Sequence, residues 1–101
     1  MNEYLETMAD AEPQQSMAHR FFELAVTKTS FDPSRPKLTV FIPGGTVPGN
    51  STNSIWREAR VPMLLLEQRI GPSRKLNRIA TTQDRMELGR ALIALMAEAA
   101  K

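Results

Sequence analysis

Of the side chains that most often carry catalysis, this 101-residue sequence holds one histidine, His19, and no cysteine. A cysteine nucleophile and a thiolate zinc site are therefore excluded, and so is a disulfide scaffold. His19 has Glu23 four residues further on, in a stretch with helical periodicity. Two side chains are too few to hold a metal ion, and the pair reads as solvated surface. The carboxylates Glu58, Glu67, Asp84 and Glu87 are interspersed with basic residues and form no close pair of the kind that acid–base work requires. The expectation is a non-enzyme, with no catalytic residue, metal or cofactor.

The residues better suited to binding are basic. Arg57, Arg60, Arg69, Arg74, Lys75 and Arg78 fall within one segment, with Trp56 at its start. Guanidinium forks match phosphate oxygens, and an indole offers a face on which a base stacks. The net charge is only +2, but residues 1–55 carry four basic and six acidic side chains, and residues 56–101 carry nine and five. This asymmetry marks either an anion-binding face or a mixed, solvated surface. Upstream, Gly44-Gly45-Thr46-Val47-Pro48-Gly49-Asn50-Ser51-Thr52 is a glycine-containing loop ahead of a short helical stretch. Its backbone N–H groups, with Asn50, Ser51 and Thr52, suit a phosphate. The spacing matches neither the Walker pattern nor Gly-x-Gly-x-x-Gly, so a plain connecting loop remains the competing reading. No nucleic-acid motif signature is present.

The elements that must position these groups follow from periodicity. Residues 1–11 read as a tail or a short helix, with Tyr4, Leu5 and Met8 on one side. Glu12-Pro13 reads as a helix start, because proline is tolerated at the first helical position. Met17, Phe21, Leu24 and Lys28 then form a row flanked by Ala18, Phe22 and Val26. Two prolines within 31–36 end that helix, and Lys37–Ile42 is rich in β-branched and aromatic residues, as in a strand. A short helix is expected through Ile55, Trp56 and Ala59. Met63–Ile70 is ambiguous, with strand favoured over helix by its length. If it pairs with 76–80, the hairpin turns at 71–74 and groups Arg69 with Arg78.

Thr81-Thr82-Gln83-Asp84 has the form of a capping box, which predicts a helix over about 82–100. Within it Ala91–Ala97 is uninterrupted by polar residues. Leu88, Leu92, Leu95 and Ala99 make one face and Met86, Gly89, Ile93 and Met96 a second. A helix apolar on most of its circumference must be covered on most of it. With so few other elements, either this helix runs through the middle of the domain or its second face, Gly89, Ile93, Met96 and Ala97, meets another subunit; the second is the expectation. Phe21, Phe22, Val40, Ile42 and Leu92 are expected in the core.

These readings combine into one α+β domain over 12–101. It has an N-terminal helix, a small sheet of two to three short strands and a long apolar C-terminal helix. No apolar run reaches the roughly 18 residues of a membrane span, and the acidic N-terminus is unlike a secretory signal. A cytoplasmic protein is expected. The expected function is a non-catalytic binding module, acting as a homo-oligomer and contacting nucleic acid or a nucleotide phosphate through 57–78. The alternative is an adaptor or inhibitor whose ligand is another protein. A small phosphate-ester hydrolase using the 44–54 loop is a more distant third.

Overall fold

The computed structural model describes residues 3–7, 9, 11–35, 37–40, 58–60 and 64–101. They form an α+β arrangement of two helices and two small sheets. Strand β1, Tyr4–Thr7, leads into helix α1, Gln14–Lys28. Strand β2, Thr39–Val40, and strand β3, Leu64–Glu67, complete a sheet of order β2-β1-β3. Strands β4, Pro72–Ser73, and β5, Arg78–Ile79, form a separate hairpin, followed by helix α2, Thr82–Ala99.

The expectation of a tail or helix at the N-terminus is corrected here, because β1 is the central strand of the sheet. It runs parallel to β2, with Glu6 opposite Thr39, and antiparallel to β3, with Leu5 opposite Leu66. Glu3, Leu5, Thr7 and Ala9 are all buried, the period-two pattern of a strand with one face inward. A carboxylate at the first inward position hides that pattern from a hydrophobicity reading. The segment β1–α1–β2 is thus one parallel crossover unit.

The hairpin is also corrected. Met63–Ile70 does contain a strand, β3, but it pairs with β1 and not with 76–80. The partner of Arg78–Ile79 is Pro72–Ser73. Arg74, Lys75, Leu76 and Asn77 make the turn, and Asn77 has φ 56°, a left-handed conformation that asparagine tolerates. Of Lys37–Ile42, Thr39 and Val40 are strand, while Phe41 and Ile42 lie outside the described residues. Of the short helix expected at 55–59, Glu58 and Ala59 are helical, and Ile55 and Trp56 lie outside.

The core sits between the helices and the sheet. Ala18, Phe21, Phe22 and Ala25 of α1 meet Leu88, Leu95 and Ala99 of α2, with Leu5, Phe31 and Leu38 completing the cluster. Phe31 stands edge-on to Phe22, with ring centroids 6.1 Å apart and planes at 83°. Val40 and Leu92, expected as core, are half-buried. Arg20 Nε donates to the carbonyl of Ala99 at 3.0 Å and ties the end of α2 to α1.

The predicted capping box at the start of α2 is present. Thr81 Oγ1 accepts from the Asp84 backbone N–H at 3.1 Å, and an Asp84 carboxylate oxygen accepts from the Thr81 N–H at 2.8 Å. α2 is long, as expected, but it is not covered on every side. Ile93 is 72% exposed, Met86 55% and Met96 53%. Among the described residues, no helix is long and apolar enough to cross a membrane.

Candidate functional site

Two features stand out from the residues upward: an ionic cluster built on two buried acids, and the open face of α2. The cluster lies where the start of β1, the loop after α1 and the segment from β3 to the hairpin converge. Glu3 and Asp32 are its acids, both buried. One oxygen of Glu3 accepts from the Asp32 backbone N–H at 2.6 Å and the other from the Arg69 N–H at 3.1 Å. The backbone N–H of Glu3 donates to Ser34 Oγ at 3.0 Å, and its carbonyl accepts from the Ser34 N–H at 2.7 Å.

Asp32 receives three donors from Arg74. The backbone N–H and Nε donate to Oδ2 at 2.9 and 3.0 Å, and Nη2 lies 2.6 Å from Oδ1. The same Nη2 also donates to the carbonyl of Pro33 at 2.8 Å. Arg69 Nη2 donates to the Asp32 carbonyl at 2.8 Å and to Ser34 Oγ at 3.3 Å, and lies 3.7 Å from Asp32 Oδ2. Its Nε is buried and makes no hydrogen bond among the described residues, though it stands 3.9 Å from Glu3 Oε1. The hydrogen bond from Arg74, together with the charge of Arg69, holds the Asp32 carboxyl below the usual carboxylate range against the opposing effect of burial.

Lys75 and Arg78 are engaged nearby. Lys75 Nζ donates to the carbonyls of Val26 and, at 3.1 Å, Thr29, so it closes the C-terminal end of α1 where carbonyls have no helical partner. Partial burial there lowers its pKa from the ordinary lysine value. Arg78 forms a two-pronged ion pair with Asp84, with Nη2 2.9 Å from Oδ1. That pair, with the cap at Thr81, holds Asp84 well below the usual carboxylate range. Arg85 joins α2 to the same region by donating to Gln68 Oε1 at 3.1 Å and to the Arg69 carbonyl at 3.4 Å.

The structure therefore brings Arg69, Arg74 and Lys75 together on the loop that follows α1, while Arg78 in β5 pairs with Asp84 at the start of α2. It does not bring Arg60 to them. The Arg60 carbonyl accepts from Gln14 at 3.5 Å, at the opposite end of α1, roughly 20 Å from Lys75 by helical rise. Asn50, Ser51, Thr52, Trp56 and Arg57 lie outside the described residues.

Sequence reasoning missed Glu3 and Asp32, the residues that hold this arrangement together. The available signal was the charge asymmetry itself, since the acidic first half contains partners for the basic second half. The cluster joins three segments that are distant in sequence: the start of β1, the loop after α1 and the stretch from Arg69 to Arg74. Among the described residues no group of three His, Asp or Glu is arranged to hold a metal ion.

The second feature is the outward side of α2. Gly89, Ile93, Met96 and Ala97 are all exposed there, together with Met86. A Cβ added at Gly89 would meet nothing within 4 Å. At the C-terminal end this face runs into an apolar groove of about 80 Å³ bordered by Met17, Phe21, Leu64, Met96 and Ala100. Fold and site together define a small α+β domain with an internal ionic cluster and one open apolar helix face. No family model, curated protein or solved structure matches the chain.

Proposed function

We propose that this chain is a non-catalytic interaction module that works as a homo-dimer, joined through the outward face of α2. The observation that carries this reading is the row Met86, Ile93 and Met96, each more than half exposed, along one side of a helix whose other side fills the core. Contiguous apolar surface of this kind on a small domain marks an interface more often than free surface. Methionines adapt to an imperfect partner surface, and Gly89 and Ala97 let a second helix come close.

The anion-binding reading has less support. Arg69, Arg74, Lys75 and Arg78 each hold a carboxylate or carbonyl of their own chain. A phosphate approaching Arg74 or Arg78 would meet the carboxylate of Asp32 or Asp84 beside the guanidinium, which weakens its attraction. Two measurements separate the readings. Light scattering at about 10 μM is expected to give twice the mass of one chain, and heparin is expected to release the protein at low salt. A chain of monomer mass that is retained on heparin with steep salt dependence would reverse the preference.

A further inference from the structure

The ionic cluster leaves one buried donor over. Arg69 Nε makes no hydrogen bond among the described residues, although Nη2 of the same guanidinium makes two. A buried N–H without an acceptor costs more than a hydrogen bond gains, so folded proteins seldom keep one. Glu3 Oε1 stands 3.9 Å from this Nε, beyond direct hydrogen-bond reach but within reach through one bridging molecule. Arg69 and Glu3 also border a cavity of about 10 Å³, together with Ser30, Ser73, Asp84 and Arg85. A single water needs about 10–15 Å³ of such space. We propose that this cavity is a binding site for one structural water, which accepts from Arg69 Nε and donates to Glu3 Oε1 and to Ser73 Oγ.

Charge and size together select water. Among the residues bordering the cavity, the guanidiniums of Arg69 and Arg85 are matched by the carboxylates of Glu3 and Asp84. A small anion would be repelled by the two acids, and a cation by the two arginines. A neutral molecule that both donates and accepts meets neither penalty, and the volume admits nothing larger than water. The acceptors have capacity left. Glu3 Oε1 accepts from the Arg69 backbone N–H at 3.1 Å, and Ser73 Oγ accepts from the Leu76 N–H at 3.3 Å. Each of these oxygens carries a further lone pair. Two hydrogen bonds of about 2.9 Å span the 3.9 Å between Nε and Oε1, so both can be of ordinary length. The water joins β1, the stretch after β3 and the hairpin, and the site is separate from the open face of α2.

A high-resolution crystal structure of the full chain tests this directly. An ordered water is expected about 2.7–3.2 Å from both Arg69 Nε and Glu3 Oε1. A dry cavity, an ion in it, or an Nε bonded straight to a protein oxygen would overturn the proposal. In solution, oxygen-17 relaxation dispersion counts waters that stay bound longer than the molecule tumbles. Ser30→Val leaves the three proposed partners in place but puts methyl groups on the cavity border. It is expected to lower the count by one, with circular dichroism confirming the fold. An unchanged count in a folded variant would place any long-lived water elsewhere and sink the site. Should the variant not fold, the crystal structure of the wild type decides alone.

Discussion

At the scale of single residues, Asp32 holds more of the structure than any other polar side chain described. Arg74 and Arg69 both converge on it, and it lies in the loop that connects α1 to β2. Replacing it with alanine would leave a largely buried guanidinium at Arg69 and an unpaired backbone N–H at Arg74. Asp32→Ala is expected to lower the unfolding free energy in urea by about 3 kcal/mol, because one partner of a buried ionic cluster is removed. A loss below about 1 kcal/mol would show that the cluster is ornamental.

The same residues set the acid sensitivity of the fold. Asp32 and Asp84 have folded-state pKa values below their unfolded ones. The stability they contribute is therefore fully present above about pH 4, the unfolded carboxylate range, and is lost as pH falls through the folded values. The slope of stability against pH below about 4 should flatten in Asp32→Asn/Asp84→Asn. An unchanged slope would assign the acid response to other groups.

At the scale of elements, α2 is two helices in one. Its inner face is core, and Leu95→Ala should cost about 2–5 kcal/mol by leaving a cavity. Its start depends on the Thr81–Asp84 box, and Thr81→Ala should cost about 1 kcal/mol. Its outer face should behave oppositely. In an Ile93→Glu background, Gly89→Ala should raise stability by about 1 kcal/mol, since the added methyl meets nothing and helix propensity improves. A loss there would mean that the face is already occupied within the chain.

Both helices were legible in the sequence because their signals are local: a 3.6-residue apolar row in α1, and a hydroxyl and a carboxylate at capping distance in α2. The strands were less so. β3 lies in a segment, Met63–Ile70, whose residues left strand and helix both open and whose short length favoured the strand. β1 was hidden by Glu3, whose inward position makes sense only once Asp32 and Arg69, both distant in sequence, are in place. The hairpin was misregistered because β4 and β5 are each two residues long and set by the Arg74–Asn77 turn, with little side-chain pattern to reveal them.

At the scale of the whole molecule, the acidic N-terminal half and the basic C-terminal half meet within the chain, at Glu3, Asp32, Arg69 and Arg74. The candidate site was correspondingly half legible. The grouping of Arg69, Arg74 and Lys75 was visible as composition. Their partners were not, because ion pairs between residues 37 to 66 positions apart leave no spacing rule in the sequence. The apolar second face of α2 was visible from its residues alone, and the structure leaves it exposed. The account's central claim is that a second copy covers that face. Sedimentation velocity on the full chain from about 1 to 100 μM, beside Ile93→Glu, tests this directly. The account predicts a wild type that moves from monomer toward dimer with concentration and a folded variant that stays monomeric throughout. A wild type that remains monomeric over the whole range would contradict it.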